Sequence, residues 1–157
     1  MIPLEIRPAR QNELAAILNL YAELEFGAES KSLDLPDAEK LWERIRRYPD
    51  YAIYVALVEG KIVGTFALLV MDNLAHLGAP SGIIEDVVVH PKWQGKGLGK
   101  QMMQFAIAKC QQAKCYKLVL SSNLKRERAH QFYLDLGFEK HGYSFFLPLL
   151  PTTKEHE

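Results

Sequence analysis

Cysteine is nearly absent from this sequence. The two present, Cys110 and Cys115, form neither a CxxC pair nor a framework of bridges. That excludes a disulfide-stapled scaffold and leaves two thiols in a reducing compartment. With no second ligand cluster, no metal site is expected. No apolar run approaches the roughly 20 residues that span a bilayer. The opening stretch MIPLEIRPAR holds no apolar leader core. A cytoplasmic protein without membrane association is therefore expected. Neither sign of charge is in excess: Lys plus Arg and Asp plus Glu number 19 each. That balance argues against broad nucleic-acid binding, while leaving room for a local basic pocket. Repeats, low-complexity tracts and Pro/Gly/Ser linkers are also lacking. One domain over residues 1–150 is expected, with a frayed tail at 151–157.

What is present is apolar periodicity. Apolar residues make up 48% of the 157-residue chain, enough for a sizeable core. PLEIRP reads as a strand. Leu14, Ile17, Leu18 and Tyr21 form a helical stripe. Pro36 suits the first turn of a second helix, with Ala38, Leu41, Trp42 and Ile45 on its apolar face. YAIYVALVEGKIVGTFALLVM reads as a hairpin around Glu59-Gly60-Lys61. GIIEDVVV is a strand apolar on both faces, interrupted by Glu85 and Asp86. Leu98, Met102, Phe105, Ala106, Cys110 and Ala113 mark the third helix, and YKLVLS is the next strand. Ala129, Phe132, Tyr133 and Leu136 mark a fourth helix, capped by Gly137. FEKHGYSFFLPLL reads as two closing strands around Gly142. The expected class is α/β, a mixed and mostly antiparallel sheet of about seven strands with four helices. Their order is β-α-α-β-β-β-α-β-α-β-β, with a βαβ unit around the third helix.

Between the GIIEDVVV strand and the third helix lies HPKWQGKGLGK. A glycine-rich turn ahead of a helix N-terminus suits an anion. The first amides of a helix lack intrahelical partners, the macrodipole adds positive charge, and glycine removes Cβ atoms from their path. Lys96 and Lys100 add further charge. The spacing does not match G-x-x-x-x-G-K-[ST], nor G-x-G-x-x-G after a first strand. Taken alone, it also suits a merely flexible turn.

Gln94-Gly95-Lys96-Gly97-Leu98-Gly99 fits Q/R-x-x-G-x-G/A. That pattern resembles the pyrophosphate loop of the GCN5-related N-acetyltransferases (GNAT). VVVHPKWQGKGLG is similar to the family's fourth strand and loop, and AHQFYLDLGF to its later helix. The resemblance spans most of the chain and is strongest from Ile83 to Phe138. It implies acetyl-CoA as the acetyl donor, with amides from Gln94 through Gly99 on the pyrophosphate and Lys100 beside them at the coenzyme. Val87, Val88 and Val89 would lie along the pantetheine arm, beside a splayed and often bulged strand. Tyr133 matches the family's general acid, and Phe132 precedes it at the coenzyme. An Asn usual at the helix start is replaced here by Arg126. Asn123 lies three residues earlier, and both are carried as coenzyme contacts.

Acetyl transfer to an amine requires a base, because a free alkylamine is mostly ammonium near neutral pH. Glu85 is the first candidate, sharing strand parity with Val87 and Val89. Asp86 points the other way in a regular strand and is the second. A bulge exchanges them. Phe26, His76, Tyr143 and Phe145 are candidate acceptor walls. GIIEDVVVHPKWQGKGLGK is also similar to glucosamine-phosphate N-acetyltransferases, and SSNLKRERAHQFY resembles aminoalkylphosphonate acetyltransferases. The expected activity is acetylation of a small-molecule primary amine by direct attack, in a chain that can form a homodimer. Protein acetylation and non-catalytic acyl-CoA binding are the alternatives.

Overall fold

The computed structural model of this chain describes residues 1–23 and 32–150. It comprises two units, Met1–Leu120 and Ser121–Glu157. The first holds the sheet. Its strands are β1 (Glu5–Pro8), β2 (Tyr51–Val58), β3 (Lys61–Met71), β4 (Ser81–Val89) and β5 (Lys117–Leu120). They lie side by side in chain order. The first four pair antiparallel, and β4 runs parallel to β5. The helices of this unit are α1 (Leu14–Ala22), α2 (Leu35–Ile45) and α3 (Leu98–Gln112).

Local chemistry sets these elements. Asp34 caps α2 by accepting from the Asp37 amide at 2.9 Å, and Pro36 occupies its first turn. Glu59 and Gly60 take φ of 49° and 75°, the double left-handed turn that suits the twist of a two-residue hairpin. α1 and α2 cover one sheet face. There Ile17 packs with Ile53, Val55, Leu57 and Ala67, and Tyr21, Trp42 and Tyr51 press against that cluster. α3 covers the other face. Its Phe105 meets Tyr54 and Phe66 edge to face at 5.3 and 6.4 Å.

Two glycines of the sheet let α3 approach. A Cβ on Gly82 would collide with the Cys110 sulfur and come within 2.9 Å of Leu118. Gly82→Ala should therefore lower stability by about 1–3 kcal/mol, the usual cost of overpacking, measured by urea denaturation. A wild-type midpoint would show that α3 can retreat freely from β4.

The second unit contains α4 (Glu127–Asp135). Gly137 ends it at φ 91°. The Gly137 and Phe138 amides donate to the carbonyls of Leu134 and Tyr133 at 2.9 and 3.1 Å, a Schellman closure.

The sheet differs from expectation in one respect. Five strands form among the described residues rather than about seven, so the expected order holds only as far as α4. The two closing strands are missing: residues 138–150 are irregular. Apolar residues alone do not make a strand, because the ladder needs a partner, and among its described residues the second unit contains no strand. Tyr143 and Phe145 are accordingly 93% and 94% exposed.

Candidate active site

The site is built where β4 breaks its own regularity. Ala67 pairs with Glu85 and Thr65 with Val88. Phe66 alone therefore faces both Asp86 and Val87, which is a β-bulge. Asp86 takes the left-handed conformation at φ 52°, which an aspartate tolerates better than most residues. The extra residue changes the alternation. Glu85 shares the α1/α2 face with Val88, not with Val87 and Val89 as regular parity requires.

β5 ends at Leu120, opposite Ile84. Residues 85–89 therefore pair within this unit only with β3, leaving backbone groups free on their other edge. The valine side chains themselves serve the core. Val88 is 2% exposed, and Val89 packs with Leu98 and Trp93. What this segment can offer a ligand is its main chain.

Beyond Val89 the chain is tightly fastened. The His90 amide donates to the Val63 carbonyl at 2.8 Å, and His90 Nδ1 accepts from the Lys92 amide at 3.2 Å. The Gln94 side-chain amide donates to the Val89 carbonyl at 2.9 Å. Gln94 thus clamps the loop onto the strand end, a role beyond the backbone contact its motif implies. Gly95 and Gly97 follow at φ 72° and 81°. Gly97 is the N-cap of α3, with no side chain bonded over the helix end. The first amide to bond back is Gln101, onto the Gly97 carbonyl at 3.2 Å. The amides of Leu98, Gly99 and Lys100 precede it, grouped at the positive end of a 15-residue helix. A Cβ at Gly95 or Gly97 would meet nothing within 4 Å. The glycines are thus required by φ, and the space beside them is open. Lys96 Nζ lies 4.7 Å from the centroid of the Trp93 ring, adding positive charge at the loop. An uncapped helix end and a free strand edge in sequence fit a diphosphate joined to an extended amide-bearing arm.

On the α1/α2 side of the bulge, four ionisable groups share one neighbourhood. Partial burial raises the Glu85 carboxyl above the usual carboxylate range, and the Asp86 charge raises it further. Burial is also the main cause raising the Tyr21 and Tyr51 hydroxyls. Asp86 acts on both, and Glu85 on Tyr51 as well. The tyrosines therefore remain protonated donors beside two carboxylates. Sequence reading placed Tyr21 in a core stripe and Tyr51 in a strand, and missed both as site residues. The available signal was a hydroxyl closing an otherwise apolar α1 stripe.

His76 lies at the other end of β4. It stacks on Tyr116 at 3.9 Å, and Tyr116 donates its amide to the Pro80 carbonyl at 3.0 Å. The structure does not bring His76 to the bulge. Phe26 lies outside the described residues.

In the second unit, Tyr133 sits on α4 between Phe132 and Phe138, with ring centroids 5.1 and 5.7 Å away. Burial raises its hydroxyl above the ordinary phenol range, against a smaller lowering by Arg126. Asn123 is committed to the turn before the helix. Its side chain accepts from the Lys125 amide at 2.9 Å, and its carbonyl meets His130 Nε2 at 2.8 Å. Arg126 is the N-cap residue of α4.

Comparison with known proteins agrees with this architecture. The sequence model of the acetyltransferase (GNAT) family matches residues 14–138, and the chain belongs to that family. It is 29% identical over 141 residues to a glucosamine 6-phosphate N-acetyltransferase of Trypanosoma brucei brucei, covering 90% of this chain and 92% of that one. It is 32% identical over 125 residues to an aminoglycoside N(6')-acetyltransferase type 1 of Stenotrophomonas maltophilia, covering 74% and 82%. Among solved structures, a putative acetyltransferase from Agrobacterium tumefaciens str. C58 superposes with a TM-score of 0.85 at 29% identity, covering 92% and 99%. The chain is thus an N-acetyltransferase of the GNAT type. Among its described residues no helix is long and apolar enough to cross a membrane.

Proposed function

We propose that this chain transfers an acetyl group from acetyl-CoA to a primary amine of a small molecule, by direct attack in a ternary complex. The observation that carries the reading is the continuity of β4: a bulged strand with one free edge runs straight into an uncapped, glycine-led helix. The relatives' acceptors, by their names an amino-sugar phosphate and aminoglycosides, support the small-molecule class. The chain acts as one domain over residues 1–150, in the cytoplasm, and can form a homodimer as the family resemblance implies.

Acetyl-CoA supplies an activated acyl thioester. The amides of Gly95 through Lys100 hold its diphosphate, with Lys96 and Lys100 adding charge. The free edge of Val87–Val89 pairs with its amide-bearing arm, as an added strand would. An amide of the same segment supplies a donor to the carbonyl oxygen as negative charge develops there. Glu85 takes the proton that the acceptor ammonium must lose before its nitrogen can attack. Its raised pKa makes it a better base than an ordinary carboxylate. Tyr133 keeps its proton at neutral pH, gives it to the departing sulfur as the C–S bond breaks, and is reprotonated by the second proton that the nitrogen sheds as the amide forms. Asn123 and Arg126 stand at the helix start nearest in sequence to that tyrosine and contribute to coenzyme contact.

A single-turnover thiol-release assay with acetyl-CoA and a panel of amines tests this directly. Release that depends on a small amine is expected. Coenzyme binding without release from any acceptor would leave only a binding domain. Release confined to peptides would make it a protein acetyltransferase.

Glu85 also makes a pH prediction. The raised carboxyl pKa means Glu85 becomes protonated, and activity falls, at higher pH than for an unperturbed carboxylate. Glu85→Gln should lower kcat by roughly 100-fold and remove that acidic limb from the profile. An unchanged limb would transfer the role to Asp86 or to water.

A further inference from the structure

The two cysteines of the chain take no part in acetyl transfer, yet the fold brings them together where α3 ends. Beyond Gln112 the chain turns back through Lys114, which takes φ 57°. The Lys114 amide donates to the Gln111 carbonyl at 3.0 Å, and the Cys115 amide to the Cys110 carbonyl at 2.9 Å. These two bonds make a Schellman closure, the motif that also ends α4. A side-chain contact between the first and last residues of the closure commonly accompanies it. Here both of those residues are cysteine. Both thiols are free, Cys110 buried and Cys115 half-buried.

The closure limits how far apart they can be. With standard bond lengths, the 2.9 Å bond between the Cys115 amide and the Cys110 carbonyl caps the Cα–Cα distance at about 6.8 Å. Disulfides span about 4.4–6.8 Å between α-carbons. The two thiols are also neighbours. Burial is the main cause that pushes the Cys110 thiol up to about 12, and the Cys115 thiol adds to it by charge and by hydrogen bonding. Cys110 thus stays a protonated thiol in the core, against the space that Gly82 leaves beside it. Cys115 is the sulfur that solvent reaches.

From this geometry we propose that Cys110 and Cys115 are a peroxide-reactive pair that closes into a reversible disulfide and staples the last turn of α3. The oxidant is a hydroperoxide. The Cys115 sulfur attacks one peroxide oxygen, the O–O bond breaks, and Cys115 becomes a sulfenic acid as one water leaves. The Cys110 sulfur then attacks the Cys115 sulfur. The sulfenic oxygen departs as a second water, taking the Cys110 proton. Two thiols lose two hydrogens and two electrons, and one hydrogen peroxide becomes two waters. Exchange with a reducing thiol restores the pair. In a reducing compartment the resting state is the dithiol, and the bridge is transient. Because Cys110 stands beside it, the sulfenic acid is trapped before a second peroxide carries it to sulfinic acid, which thiols do not reduce.

The test treats the whole folded chain with hydrogen peroxide, removes the excess with catalase, blocks remaining thiols with N-ethylmaleimide and digests with trypsin without reduction. Lys109, Lys114 and Lys117 place cleavage sites around and between the two cysteines, so a bridge joins the peptides CQQAK and CYK. That linked pair should appear, two hydrogens lighter than its separate halves, and dithiothreitol should abolish it. The oxidised chain should melt roughly 4–8 °C above the reduced one, the shift expected from closing so short a loop. Cys110→Ala should show no bridge and should gather oxygens on Cys115. Cys115→Ser, which leaves the core thiol in place, should leave Cys110 unoxidised. Oxygen added to Cys115 of the wild-type chain without the linked pair would overturn the proposal. So would a bridge formed only between two chains, or an oxidised chain that melts no higher than the reduced one.

Discussion

Replacing Gly97 with isoleucine should abolish the thermal stabilisation that coenzyme A gives this chain. A ligand that binds only the native state, present at about 100 times its Kd, stabilises by roughly 2.7 kcal/mol. Gly97 is the N-cap of α3 at φ 81°, and a Cβ there would meet nothing in the protein within 4 Å. A branched side chain would instead project into the open space beside the first helix amides, where the diphosphate must come close. The backbone strain of a non-glycine residue at this φ costs about 1–2 kcal/mol, so the variant should melt somewhat lower while remaining folded. Gly97→Ala separates the two effects, carrying comparable strain with much less bulk. It should retain part of the coenzyme shift. A full shift in the isoleucine variant would contradict the assignment of this loop.

Tyr133→Phe should lower kcat by at least about 100-fold, the lower end of the range for a lost general acid, with KM for acetyl-CoA nearly unchanged. The variant removes one oxygen and keeps the aromatic contacts with Phe132 and Phe138, so α4 should remain intact. Burial holds the hydroxyl protonated beyond the ordinary phenol range, leaving it a donor throughout the neutral region. Steady-state kinetics with saturating amine decide the matter. An unchanged kcat would confine Tyr133 to packing. A rise in KM with kcat preserved would make it a binding residue.

Much of the fold could be read from sequence because local rules and packing agree there. The α1, α2 and α3 stripes, the Glu59-Gly60 turn and the Gly137 closure each follow from short-range pattern. The glycine loop was legible for the same reason: φ above zero at Gly95 and Gly97 and an uncapped helix end are local properties. The bulge was not. Whether Glu85 faces with Val87 or with Val88 depends on which β4 residues oppose Thr65 and Ala67, which is a matter of long-range register. The closing strands failed on the same ground. FEKHGYSFFLPLL has strand-like composition, but a strand exists only with its partner. Tyr21 and Tyr51 were missed because apolar periodicity counts a tyrosine as core and says nothing of its hydroxyl. Their relation to Glu85 and Asp86 emerges only when α1, β2 and β4 are brought together.

The central claim is that the amides beginning α3 grip a diphosphate at the end of a free β4 edge. Amide NMR on the uniformly labelled chain, titrated with coenzyme A and separately with pantetheine, tests it most directly. Coenzyme A should shift the amides of Gly95, Gly97, Leu98, Gly99 and Lys100, together with those of Val87–Val89. Pantetheine, which has no diphosphate, should move only the strand set. Saturable binding of coenzyme A that leaves the Gly95–Lys100 amides unmoved would contradict the account.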